Sequence, residues 1–250
     1  MFKNILIGIF AAVLVVALGT AAFNVVGVSA AGGVAEPVAG NGGGNNGQGN
    51  GTGTNILAIP ASELSSDEAE ALLFMREEEK LARDVYKTLY ATWNLPTFQN
   101  IASSEQTHMD QIALLLTRYK LTDPAQAPGV FKNATLQALY TKLVAQGKLS
   151  IGDALKVGGA IEEIDIKDLQ TRLPQTDNAD IQQVYNSLMQ GSYNHLNAFS
   201  RILSSQTGGT YVPQYLTAEQ YKAIISSGTG NGGGRPTWAG NGNSKGAGRP

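Results

Sequence analysis

The chain contains no cysteine in its 250 residues. That excludes disulfide staples, thiolate metal ligands and a cysteine nucleophile. Histidine is almost as scarce: there are two, His108 and His195, so any site built on imidazole must use one or both. Charged side chains make up only 15% of the chain and the formal net charge is -2. Without a basic excess the chain lacks the electrostatic footprint of a nucleic-acid binder. No glycine-rich phosphate loop links a strand to a helix, and no serine, histidine and acid meet at a nucleophile turn, which argues against nucleotide chemistry and acyl transfer. Strand-like alternation is nearly absent, and no solenoid repeat occurs.

Glycine is abundant but unevenly placed, with 19 of the 30 glycines in residues 32–54 and 227–250. Neither stretch can bury a core. Residues 31–54 read as a Gly/Asn-rich linker with a root-mean-square reach of roughly 25 Å. Residues 227–250 read as a disordered Gly-rich tail, mildly basic through Arg235, Lys245 and Arg249. The first 30 residues carry Lys3 and then no charge before Glu36. A basic start, a long apolar stretch and Val28-Ser29-Ala30 fit a cleavable signal peptide. The same stretch, retained, is long enough to span a hydrocarbon core of roughly 30 Å, so residues 5–30 would then tether the protein to a membrane. Either reading makes the rest of the chain extracytoplasmic, secreted or anchored.

Residues 55–226 show helical periodicity throughout, which predicts an all-α domain. A serine cap at Ser65 or Ser66 opens a first helix with Leu72, Met75, Ala82, Tyr86 and Leu89 on one face, ending before Pro96. A second, from about Thr97 to Tyr119, carries Phe98, Ile101, Ile112 and Leu115. A short helix around Leu136–Leu143 lies within a long connection. Ser150 with Asp153 starts a third long helix ending near Pro174. The fourth, from about Asn178 to Ser204, places Ile181, Val184, Tyr185, Leu188, Ser192, His195, Phe199 and Ile202 on one stripe. A last short helix follows Thr217. Four long amphipathic helices, with a long crossover between the second and third, fit a four-helix bundle of the ferritin-like type.

Ionisable groups interrupt these apolar stripes, and a carboxylate in a bundle core is costly unless protonated, paired or bound to a cation. Glu105 and His108 emerge from one face of the second helix. Glu79 lies between Met75 and Ala82 on the first, with Glu78 as the competing inward candidate and Glu77 expected to face water. On the third, Glu162 and Asp165 share a face with Gly158 and Leu169, while Glu163 points to the side. His195 sits on the stripe of the fourth, one turn after Ser192. No lysine or arginine is expected on these stripes. Any one of these residues alone would more readily be an ordinary core or surface group, but both histidines and four acids converge from all four long helices. Glu79, Glu105, His108, Glu162, Asp165 and His195 therefore form a candidate metal site, a donor set suited to two iron or manganese ions, with zinc less favoured because it needs fewer ligands.

These residues resemble the ferritin-like di-metal carboxylate proteins, rubrerythrin in particular. Glu79 with Ala82, Arg83 and Tyr86 is similar to that family's first-helix ligand segment, "FQNIASSEQTHMDQI" to its Glu-x-x-His segment, and "GAIEEID" to its third-helix acidic pair. The phrases "REEEKLARDVY", "SEQTHM" and "GSYNHLNAF" more specifically resemble the prokaryotic domain of unknown function 2202 family, which has no established activity to carry over. The superfamily resemblance implies Glu105 as a bridge, Glu79 and Glu162 as terminal or bridging ligands, and His108 and His195 as nitrogen donors. One departure stands out: Ser192 occupies the position where the fourth helix normally supplies a glutamate, leaving Asp165 to fill the vacancy or one ion weakly held. The implied function is an exported metalloprotein whose di-iron or manganese centre reacts with dioxygen or peroxide, a ferroxidase- or peroxidase-type oxidoreductase. The alternative is a non-catalytic module that sequesters metal at the cell surface.

Overall fold

The computed structural model describes residues 56–227, and all regular structure in them is helical. The expected leader and linker, and all of the glycine-rich tail but Ser227, lie outside the described residues. Among the described residues no helix is long and apolar enough to cross a membrane.

Helix α1, Ser66–Trp93, starts at a capping box: Ser65 Oγ accepts from the Glu68 amide, and Glu68 accepts in return from the Ser65 amide. It stops where Asn94 turns left-handed at φ 49° ahead of Pro96, the first residue of α2, Pro96–Arg118. Asn133 caps α3, Ala134–Gly147, and Ser150 caps α4, Ile151–Arg172. Helix α5, Ala179–Thr207, ends at Gly208 with φ 68°, and α6, Ala218–Ser227, follows.

The helices pack as a bundle, α1 along α2 and α4 along α5, the two pairs meeting through α1 on α4 and α2 on α5. Helix α3 bridges α1 and α4, and α6 lies on α5. The core is formed by the stripes that periodicity marks, including Leu72, Met75, Leu89, Phe98, Ile112, Leu115, Leu169, Leu188 and Phe199, all fully buried. Each such side chain contributes about 1.5–3 kcal/mol of burial free energy, which is what holds polar groups in the interior against their hydration. Two glycines on α4 allow close packing. A Cβ on Gly158 would stand 2.6 Å from the Phe199 ring, and one on Gly159 would stand 2.5 Å from that of Tyr211.

Three expectations are corrected. Glu77 does not face water: it is buried and accepts from the backbone amides of Lys132 (2.6 Å) and Asn133 (3.1 Å). Basic residues do enter the buried faces, since Arg76 and Lys80 of α1 are both buried. Arg76 bonds the Met109 carbonyl and Asp123, while Lys80 bonds Asp84 and the carbonyls of Ala127 and Val130. Glu163 does not point aside but is fully buried, accepting from the amides of Gln214, Tyr215 and Leu216 and from the Tyr211 hydroxyl. Apart from Arg76, which bonds a carbonyl within α2 and the Asp123 carboxylate, the cause is common. The connections after α2 and α5 fold over the bundle, and their unpaired backbone groups are satisfied by charged side chains from the helices beneath.

Candidate metal centre

Glu105 stands between the two histidines. Its Oε2 lies 2.7 Å from His108 Nδ1, and its Oε1 lies 2.8 Å from His195 Nδ1. Glu79 Oε2 approaches His108 Nδ1 at 3.2 Å from α1, and Glu162 Oε2 approaches His195 Nδ1 at 3.4 Å from α4. The ring centroids of the histidines are 5.6 Å apart. The side chains thus form two groups able to hold a metal ion, Glu79–Glu105–His108 and Glu105–Glu162–His195, each with one donor atom per residue within 4.8 Å of the others. Both groups are buried, and they share one carboxylate.

The donors have neighbours that fix them. His195 Nε2 is 3.0 Å from Ser104 Oγ; when Nε2–H donates to that hydroxyl, the Nδ1 lone pair is left facing Glu105 and Glu162. The buried Tyr86 hydroxyl donates to Glu162 Oε1 at 2.5 Å, which leaves Oε2 for the site. Its ring packs between Phe98 and Phe199, with centroids 6.3 and 5.2 Å away. His108 lies against α5 where Gly191 has no side chain: a Cβ there would be 2.4 Å from His108 Cε1.

The remaining acids are placed differently. Asp165 joins neither group; its Oδ2 accepts from the Ser192 hydroxyl, and its buried Oδ1 has no hydrogen-bond partner. Serine at 192 therefore holds an acid from α4 instead of supplying one from α5. Glu78 is buried but belongs to neither group either, and its electrostatic neighbours are Asp168 and Asp165. Of the six residues expected at the site, five come together as donors, and Asp165 stands beside them. Ser104 and Gly191 escape the sequence pattern, because helical spacing identifies a face but not a neighbour on another helix.

The electrostatics are those of a cation site. Burial alone would lower the histidine pKa values, yet Glu105 and Glu162 push His195 up to about 10, and Glu79 and Glu105 push His108 well above its usual range. Burial works against ionisation of Glu105 too, but His195 and His108 hold it well below the ordinary carboxylate range. Burial raises Glu79 to about 7 and raises Glu162 and Asp165 as well. The raised histidine values favour protonated imidazole on both sides of Glu105. Glu79 Oε1, Glu105 Oε1 and His195 Nδ1 have no hydrogen bond despite full burial. His195 Nδ1 and Glu105 Oε1 are close but misaligned for one, as expected of atoms aimed at a common third point. Oxygen-rich donors with one imidazole per group fit iron or manganese.

Residues 68–228 match the model of a family described as "Uncharacterized protein domain (DUF2202)". The chain is similar to the uncharacterized protein MJ0754 of Methanocaldococcus jannaschii, at 51% identity over 179 residues, covering 71% of this chain and 96% of that protein. It is likewise similar to the crystal structure of hypothetical protein MJ0754 from Methanococcus jannaschii DSM 2661, at 52% identity, with a TM-score of 0.66 over 68% of this chain and 97% of that one. The family match spans well over half of the sequence and includes every residue of the two donor groups: the chain belongs to the DUF2202 family.

Proposed function

We propose that this protein is an exported redox metalloprotein of ferritin-like architecture. In this reading the four long helices are a four-helix bundle with its crossover between the second and third, and its centre binds two iron or manganese ions. The observation that carries the reading is the shared carboxylate: each oxygen of Glu105 meets a different histidine, so two three-donor groups are fused at one bridge. Glu79 and His108 would complete one ion's ligands, Glu162 and His195 the other's. Bound redox-active ions supply two one-electron steps for the reduction of dioxygen or peroxide. The chain's own residues bind, orient and exclude. Ser104 sets the tautomer of His195, Tyr86 orients Glu162, and fully buried apolar residues of the same helices, Met75, Ile112, Leu188 and Phe199, keep the bundle interior dry. Asp165, held by Ser192, adds negative charge beside the pair without a ligand position of its own. The apolar leader-like residues 5–30 support export, by cleavage or as a tether.

The test is metal stoichiometry, followed by reactivity. The purified full chain is expected to take up two manganese or ferrous ions, and Glu105→Ala to lose both. Loss of one ion is expected in Glu79→Ala and in Glu162→Ala. Full uptake by Glu105→Ala would remove the bridge and with it the proposal. Mixing the ferrous protein anaerobically with peroxide, or with dioxygen, then separates turnover from storage: rapid oxidation followed optically supports the redox reading, and inert retention of ferrous ion supports a sequestering module.

A further inference from the structure

Beside the paired donors runs a second set of buried polar groups that the centre does not use. On α4, Asp165, Asp168 and Arg172 follow the donor Glu162 at intervals of three, three and four residues, so they descend the helix over about 15 Å from it. From α1, Glu78 projects to the same region: after burial itself, Asp168 and Asp165 act on its charge most strongly, followed by Arg172. These groups share an uncommon property, a shortage of hydrogen-bond partners at buried atoms. Glu78 and Asp168 are close enough to share a proton with each other and Glu78 has no other hydrogen-bond partner, while Asp165 Oδ1, Arg172 Nε and the Tyr185 hydroxyl are buried without partners. Glu78 is only 4% exposed, Asp165 6% and Asp168 4%. Buried carboxylate oxygens without donors are rarely left so, and each is costly. Arg172 forms no ion pair with them; its guanidinium lies over the Phe74 ring instead. At the outer end Arg172 and Tyr185 line a surface depression together with Asp67, Glu68 and Thr176. At the inner end Asp165 feels Glu79, Glu162 and Glu105 of the donor groups.

We propose that Glu78, Asp168 and Asp165 form an access route for divalent cations, leading from the depression at Arg172 and Tyr185 to the paired centre. The inference rests on the metal-binding reading above and adds how the ions arrive. The Glu78–Asp168 pair and Asp165, about one helical turn further along α4, are successive transient ligands. They are too loosely grouped to retain an ion as the Glu105 triads do, since they do not form a compact three-donor set. Weak successive sites are what passage requires, because a tight site on the way would trap the ion. Arg172 stands at the mouth as a positive charge that slows admission.

The experiment follows cobalt(II) uptake by the ion-free full chain in anaerobic stopped flow, read by the absorption of the ligated ion. Glu78→Gln and Asp168→Asn replace buried carboxyls by neutral groups of similar shape and are not expected to lower the melting temperature. Each is expected to load at least tenfold more slowly than the parent while reaching the same final stoichiometry. Arg172→Ala is expected to load faster, a change of opposite sign that general loosening or misfolding of the first two variants cannot mimic. Asp110→Asn, at an exposed acid on α2, is expected to load at the parental rate. Parental rates in Glu78→Gln, Asp168→Asn and Arg172→Ala alike would overturn the route and leave Glu78 and Asp168 as a pair that merely shares a proton. If the parent itself takes up no cobalt, manganese or ferrous ion, the metal centre falls and the route falls with it.

Discussion

At the scale of single residues, the centre depends on atoms that touch no ion. Gly191 makes room for His108, since any side chain there would have its Cβ 2.5 Å from His108 Nε2. Glu79 and Glu105 hold the ring by its Nδ1 at 3.2 and 2.7 Å. Gly191→Ala is expected to destabilise the fold by about 1–3 kcal/mol, as overpacking does, and to weaken binding at the His108 group before the His195 group. Urea melts and manganese stoichiometry check it, and unchanged values for both would show that the ring can shift freely. Ser104 acts on the other histidine. Ser104→Ala is expected to weaken metal binding by roughly tenfold, in line with loss of a partner that orients a ligand, and Ser104→Thr to restore it. Titration calorimetry on the two variants decides, and equal affinities in alanine and threonine would dismiss the orienting role.

At the scale of elements, the long helices are covered by connections that have no regular structure of their own. Glu163 is the fastening for the segment after α5: three consecutive amides, those of Gln214, Tyr215 and Leu216, converge on its carboxylate at 2.9, 2.6 and 2.7 Å. Removing it strands those donors, that of Leu216 in a buried place and those of Gln214 and Tyr215 nearer the surface, and each stranded group costs about 1–3 kcal/mol unless water reaches it. Glu163→Ala is therefore expected to lose at least about 2 kcal/mol by that count, with hydrogen exchange accelerated first at residues 214–216. Exchange that remains as slow as in the parent would mean that α6 and Tyr211 secure the segment unaided. Glu77 does the same for the connection before α3 through the Lys132 and Asn133 amides. Adjacent acids on one helix thus have unlike duties: Glu77 fastens a loop, Glu78 pairs with Asp168 and Glu79 faces a histidine.

At the scale of the whole molecule, the centre concentrates negative charge where water cannot screen it, and the consequence is a dependence on pH. Burial raises Glu79 from 4.5 to about 7 and raises Glu78, Asp165, Glu162 and Asp168 in the same direction, while the carboxylates raise His195 from 6.5 to about 10. A group whose pKa is higher when folded binds more protons in the folded state, so its contribution is complete below the unfolded value and is lost as pH rises through the folded one. For Glu79 that window is 4.5 to about 7, and for His195 it is 6.5 to about 10. Glu105 runs the other way, but its window lies below 4.5. The ion-free protein is therefore expected to melt at progressively lower temperature from pH 5 to pH 9, and saturating manganese to restore stability most at the alkaline end. Binding should release protons, visible as a buffer-dependent heat in calorimetry. A melting temperature that rises with pH in the ion-free protein would contradict this charge balance.

What the amino-acid sequence determined by itself is the set of helices and most of the donor residues. Serine caps at 65 and 150, Pro96 and Gly208 mark helix ends through local backbone chemistry, and a 3.6-residue period puts Glu105, His108 and His195 on buried faces whatever those faces meet. What only the tertiary structure decided is which buried acids look at each other. Helical spacing turns Glu79 inward, leaves Glu78 in competition with it and sends Glu77 to water, yet all three are buried. The loop over one, Asp168 beside the next and His108 beside the third give them different roles, because charge in a dry interior is governed by neighbours a few ångströms away and not by order along the chain.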